Sequence, residues 1–211
     1  MSILNEISEF LQKGRAKNVK ALVQQALDEN VDPKAILEEG LLSGMNIIGN
    51  KFKNNEIFVP EVLIAARAMN AGVEVLKPRL VSEGVESKGR AVIGTVKGDL
   101  HDIGKNLVKM MMEGQGLEVI DLGVDVSAEK FVEAAKEHDA KVICCSALLT
   151  TTMNEMKNVV DAFVADGTRG QVKIMVGGAP VTQAFCDSIG ADCYTDDAAS
   201  AAEAALKFCV G

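Results

Sequence analysis

Apolar residues recur at helical spacing from the N-terminus to about residue 85. Ile3, Ile7, Phe10 and Leu11 make a first short stripe that stops near Gly14, and Val19, Leu22, Val23, Ala26 and Leu27 make a second. Asp32 is placed to cap a third helix with Pro33 at its first position, where the missing N–H costs nothing. That helix carries Ile36, Leu37, Leu41, Met45, Ile48 and Phe52. After a polar turn at Lys53-Asn54-Asn55-Glu56, Pro60 opens a fourth helix bearing Leu63, Ala66, Met69, Val73 and Leu76, with Pro78 expected to end it. Four amphipathic helices with short connections predict a helical bundle. Residues 81–90, polar and with two glycines, read as a linker.

From Ala91 the pattern changes. Near-continuous apolar runs at 91–96, 117–122, 141–148 and 172–176, with a short one at Cys193-Tyr194, alternate with helical segments. Such runs suit parallel strands covered on both faces. The expected fold is therefore α/β: an N-terminal four-helix bundle over residues 1–88, then a Rossmann-like, flavodoxin-like domain over 89–211 with five parallel strands; a flavodoxin-like order, 2-1-3-4-5, would put the switch point between strands 1 and 3.

Composition narrows the function classes. Aromatic residues are 4% of the chain and the net charge is −8, with the acidity concentrated in the second half. Stacking surfaces and clustered cations, the needs of a nucleic-acid binder, are both scarce. No apolar stretch approaches the length of about 20 residues that a membrane helix requires, and the first residues lack a basic flank and cleavage site, so a cytoplasmic protein is expected. Five cysteines form no CxxC pair; Cys144 and Cys145 sit in an apolar strand and read as small buried side chains.

The chemistry gathers at the carboxyl ends of the strands. Gly98-Asp99-Leu100-His101-Asp102-Ile103-Gly104 falls at the corner between the first strand and the next helix, where ligands of open parallel sheets bind. An extended loop brings side chains i and i+2 together, so Asp99 can hold one imidazole nitrogen of His101 and leave the other for a metal. A solvated loop histidine is the other reading. Ser146 to Thr152 follows the third strand and Gly177-Gly178 the fourth, so all three stretches line one edge. Helix capping accounts for one of those hydroxyls but not for four. A phosphate loop does not match: five residues separate Gly98 from Gly104, and Asn106 stands where a magnesium-binding Ser or Thr belongs.

Asp99-x-His101-x-x-Gly104, 41 intervening residues, Ser146-x-Leu148, 28 more and Gly177-Gly178 resemble the signature of proteins that bind cobalamin base-off with a histidine on cobalt. Gly44-Met45, Gly49, Phe52, Phe58-Val59-Pro60 and Ala65-Ala66-Arg67 likewise resemble the helical cap of methionine synthase and of small corrinoid proteins. The resemblance implies His101 as lower axial ligand, with Asp99 and Thr152 as its proton-linked relay. It implies further cofactor contacts at Asp102, Ile103, Gly104, Ser146, Leu148, Thr150, Gly177, Gly178 and Ala198, and places Phe52 and Val59 over the methyl-bearing face.

By the same resemblance the chain is a corrinoid methyl carrier. Its Co(I) cobalamin would take a methyl group from a small donor through one substrate-specific methyltransferase. A second methyltransferase would pass it to tetrahydrofolate or coenzyme M, and a reductive activating protein would serve the system. A B12-dependent mutase subunit would share the second domain without needing the cap. A cobalamin-sensing regulator would need a DNA-binding segment, and no basic helix-turn-helix is present. No nucleic-acid or membrane partner is expected.

Overall fold

The structure is a computed structural model and describes residues 2–83 and 86–211. The chain divides into two compact units, residues up to Ser87 with Gly114–Gly116, and Lys88–Glu113 with Leu117–Gly211.

The first unit is helical. α1 (Ile3–Gln12) and α2 (Ala16–Asp28) follow the first two stripes, and Ile7, Leu11, Val19, Val23 and Ala26 are fully buried. The Asp32 carboxylate accepts from Lys34 N–H at 3.1 Å and starts α3 (Pro33–Ala35). This runs without a break through a π-helical segment, Ile36–Leu42, into α4 (Ser43–Lys53). The third predicted helix is thus one continuous rod with a widened middle.

The fourth helix, α5 (Val59–Ser82), departs from expectation in two ways. It passes through Pro78 and goes on to Ser82. Lys77, Pro78 and Arg79 are exposed, so water is at hand for the carbonyl that proline deprives of its donor. The predicted linker shortens accordingly, because α5 takes its first two residues and the first strand its last; its Gly84 and Val85 lie outside the described residues. Leu63, expected in the core, is 40% exposed, and the buried stripe starts one residue earlier with Val62, Ala65, Ala66, Met69 and Leu76.

The second unit is a five-stranded parallel sheet of order β2-β1-β3-β4-β5. The strands are β1 (Arg90–Thr95), β2 (Glu118–Asp121), β3 (Val142–Ser146), β4 (Lys173–Gly177) and β5 (Cys193–Tyr194). The helices between and after them are α6 (Ile103–Glu113), α7 (Ala128–Glu137), α8 (Asn154–Ala165), α9 (Gln183–Ile189) and α10 (Ala198–Val210). The third apolar run proves too long for its strand: β3 stops at Ser146, and Leu148 is exposed beyond it.

Val92, Ile143 and Ile174 of the sheet pack with Phe131 of α7 and with Met156 and Phe163 of α8 in one core. Each such fully buried side chain contributes roughly 1.5–3 kcal/mol relative to exposure. Phe131 lies so close to β1 that a Cβ on Gly94 would stand 2.8 Å from its Cζ, so only glycine fits there. The parallel ladder brings the carboxyl ends of β1, β3 and β4 together, with Thr95 beside Ser146 and Ser146 beside Gly177. Among the described residues no helix is long and apolar enough to cross a membrane.

Candidate functional site

The loop between β1 and α6 is built around a buried carboxylate. Asp99 is fully inaccessible, and five donors converge on its two oxygens. Oδ1 accepts the backbone N–H of His101 at 3.1 Å and lies 2.8 Å from Nδ1 of the His101 ring. Oδ2 accepts the backbone N–H groups of Leu148 at 2.8 Å and Leu149 at 3.2 Å, and the Thr152 hydroxyl at 2.8 Å. The loop after β3 thus closes onto the loop after β1 through one side chain.

Burial pushes the Asp99 carboxyl upward, but the hydrogen bonds from the His101 ring, the Thr152 hydroxyl and the N–H groups of His101 and Leu148 outweigh it and hold the group well below the usual carboxylate range. An ionised carboxylate only accepts, so Nδ1 is the donor in this contact and Nε2 is the ring nitrogen left for a ligand. The His101 side chain is half exposed while its anchor is sealed. A fixed, outward imidazole with a free Nε2 is a metal ligand in waiting.

The sequence expected several hydroxyls from Ser146 to Thr152 to serve Asp99, His101 or a ligand, and the structure sorts them. Thr152 reaches Asp99; it also bonds the carbonyl of Leu149 at 2.9 Å, and α8 starts without a side-chain cap. Ser146 ends β3 half-buried, and Thr150 is exposed in the following turn. Leu148 contributes through its backbone, and so does Leu149, which no side-chain pattern could have marked. Asp102 accepts from the Asn106 side chain at 3.1 Å and so secures the first turn of α6. Gly177 ends β4, and Gly178 has φ of +136° with the Ala147 carbonyl oxygen only 1.9 Å from where a Cβ would stand. Ala198 is buried at the start of α10. Phe52 and Val59 belong to the helical unit, at the two ends of the turn joining α4 to α5, both half-buried.

Around the histidine the surface is unexpectedly apolar. Leu100 is 71% and Ile103 79% exposed, and Leu148 and Leu149 are also exposed. Large aliphatic side chains in water on both loops mark a surface made to be covered. At Gly104, exposed and next to Ile103 in the chain, a Cβ would meet nothing within 4 Å.

These features fit a cobalt corrinoid. Among the described residues no three His, Cys, Asp or Glu side chains converge to hold a metal by themselves. A single held imidazole suits a metal whose in-plane ligands arrive with a macrocycle, and the apolar loops offer that ring a dry seat.

Comparison with known proteins agrees. A B12 binding domain model matches residues 89–206, and a second model of the same description matches residues 3–77. The chain is 44% identical over 211 residues to dimethylamine corrinoid protein 2 of Methanosarcina acetivorans, covering 99% of this chain and 97% of that protein. It is 47% identical over 176 residues to trimethylamine corrinoid protein 1 of Methanosarcina mazei, with 82% of each covered. The structure resembles a chain in the crystal structure of the methanol:cobalamin methyltransferase complex MtaBC of Methanosarcina barkeri, with a TM-score of 0.89 at 30% identity, covering 99% of this chain and 80% of that chain. Fold, site and relatives meet in one conclusion: the chain belongs to the B12-binding family of corrinoid proteins, which bind cobalamin and serve methyltransferase systems.

Proposed function

We propose that this protein is the methyl carrier of a small methylated amine system, working between a donor-specific methyltransferase and an acceptor methyltransferase that uses tetrahydrofolate or coenzyme M. When bound, cobalamin supplies a cobalt centre that takes up a methyl group and gives it away. The observation that carries the reading is the Asp99–His101 pair, a buried anion 2.8 Å from Nδ1 of a half-exposed imidazole. His101 would hold the metal from below through Nε2. Asp99 fixes the ring's tautomer and direction, and Thr152 with the N–H groups of Leu148 and Leu149 keeps that carboxylate ionised and still.

Residues 89–211 would form the cobalamin-binding domain and residues 1–88 its cap. Leu148, Asp102, Ile103 and Gly104 would border the corrin, and Ser146, Thr150, Gly177, Gly178 and Ala198 its nucleotide tail. Phe52 and Val59 would shield the methyl-bearing face. The amine donor is favoured by the dimethylamine and trimethylamine corrinoid proteins among the relatives, and partner methyltransferases by the methanol complex. A cytoplasmic location and service by a reductive activating protein complete the proposal.

The test is reconstitution of the purified chain with cobalamin, reduced to Co(II) and examined by paramagnetic resonance. Nitrogen splitting from an axial imidazole is expected in the wild type and its loss in His101→Ala; splitting retained in the variant overturns the assignment. Transfer assays with dimethylamine, trimethylamine and methanol, each with its own methyltransferase, then identify the donor. Methylation by the methanol partner alone overturns the amine reading.

A further inference from the structure

His101 lies in a segment, residues 97–102, that belongs to neither strand nor helix. Its ring is tied to Asp99, but a ring tied to a neighbour two residues away is only as well placed as the main chain carrying both. Two residues outside the Asp99 cluster, Thr95 and Asp125, hold that main chain through three hydrogen bonds. The Thr95 hydroxyl donates to the carbonyl of His101 itself at 2.9 Å. Thr95 is fully buried at the end of β1, and its backbone is locked by bonds from its N–H to Gly123 O and from Val126 N–H to its carbonyl, both 3.0 Å.

The second residue is Asp125, in the loop after β2. Its carboxylate accepts Gly98 N–H at 2.7 Å, and its own N–H donates to Asp99 O at 3.0 Å, so one residue grips the loop at both ends of a single peptide step. It does so from a left-handed backbone conformation, φ +54°, which an aspartate adopts more readily than most residues.

We propose that Thr95 and Asp125 are positioning residues for the axial ligand: together they pin the 97–102 main chain so that the His101 imidazole is presented to cobalt in one fixed place. This rests on the reading of His101 as the axial ligand. The Asp99 carboxylate is held by His101, Leu148, Leu149 and Thr152, whereas the hydrogen bonds of Thr95 and Asp125 to this loop go to the backbone of Gly98, Asp99 and His101. Their effect is to confine the loop before the metal–nitrogen bond forms, so that less freedom is lost when it does.

The experiment uses the reconstituted full chain and two readouts, the nitrogen-split share of the Co(II) spectrum and the Co(II)/Co(I) midpoint potential. A lower ligand favours Co(II), so a weaker grip by His101 raises the potential. Thr95→Val keeps the shape of the side chain and removes the donor, and Asp125→Gly removes the acceptor while relieving the backbone. Each is expected to weaken imidazole ligation roughly two- to tenfold, the size of one net hydrogen bond. A tenfold loss raises the potential by about 59 mV.

Thr95→Ser and Asp125→Asn retain the needed groups and are expected to stay within about twofold of wild type, a rescue that loss of packing alone would not give. His101→Ala separates the two levels of the argument. If it abolishes the splitting while Thr95→Val and Asp125→Gly leave both readouts unchanged, the positioning role is overturned and the axial role stands. If Thr95→Ser shifts the potential as far as Thr95→Val, the Thr95 part is overturned. Should Thr95→Val not fold, the exposed Asp125 pair decides the matter.

Discussion

The hydroxyl of Thr152 donates to Oδ2 of Asp99 at 2.8 Å, a bond between residues 53 positions apart with both side chains buried. All five partners of Asp99 are donors. An amide at this position would therefore set its NH2 against N–H or O–H groups on one side or the other. Asp99→Asn is expected to destabilise the cofactor-free protein by about 1–3 kcal/mol for each donor left unmatched. Thr152→Val removes a single donor, and its cost is expected to be the smaller. Denaturant titration of both variants checks the order; Asp99→Asn unfolding at the wild-type midpoint would contradict it.

A second expectation concerns Gly94, where a Cβ would stand 2.8 Å from Cζ and 3.1 Å from Cε1 of Phe131. The contact is with the end of an aromatic ring that is itself fully buried, so the ring has little room to move. Gly94→Ala is expected to cost about 1–3 kcal/mol by overpacking. Combining it with Phe131→Leu should cost less than the sum of the two single changes, because the second removes the clash made by the first. Additive losses in thermal unfolding would show that the strain lies elsewhere.

Much of this architecture is legible in the sequence because each device is local. The apolar runs of a parallel sheet are continuous, and right-handed crossovers put strand ends of one polarity at one edge, so the sheet and its ligand edge follow from pattern and handedness, while the order 2-1-3-4-5 rests on the flavodoxin-like analogy and is settled by the ladder itself. The Asp99–His101 contact is equally local, since a two-residue spacing in an extended loop suffices. What pattern alone misses depends on partners far along the chain. Leu63 and Val62 are adjacent, and an apolar residue at each makes two stripes equally periodic; packing against the other helices selects Val62. Leu148 and Leu149 act through backbone N–H groups that every residue has, and the roles of Thr95 and Asp125 exist only once three loops meet at one sheet edge. The widened turn Ile36–Leu42 has no spacing signature in so short a segment.

The cysteines give a pH-dependent expectation. Burial pushes the Cys145 thiol up to about 12 and Cys144 well above its ordinary value, and Cys186 is raised to about 11 by burial and nearby acidic groups. The thiolate is the reactive form, so these three should resist alkylation in the folded protein at pH 8. Cys193 and Cys209 are half-buried, and burial raises both thiols, but their greater exposure should let them react first as pH climbs. Mass mapping after timed alkylation between pH 7 and 10 checks this. Early labelling of Cys144 or Cys145 would mean that the β3 core opens readily.

The two glycines of the candidate site should behave in opposite ways. At Gly178, φ is +136° and a Cβ would overlap the Ala147 carbonyl oxygen, so Gly178→Ala must disturb the β3–β4 corner with or without cofactor. At Gly104 the backbone is helical, the residue is exposed and nothing lies within 4 Å of a Cβ. Alanine there favours the helix by up to about 1 kcal/mol. If the open space belongs to the corrin, that small gain in the cofactor-free protein comes with a loss of cobalamin affinity, larger for Gly104→Leu than for Gly104→Ala. The measurements are thermal unfolding without cofactor and equilibrium binding of cobalamin for all three variants. A Gly104→Leu protein that is as stable as wild type and binds cobalamin equally well would remove Gly104 from the cofactor seat.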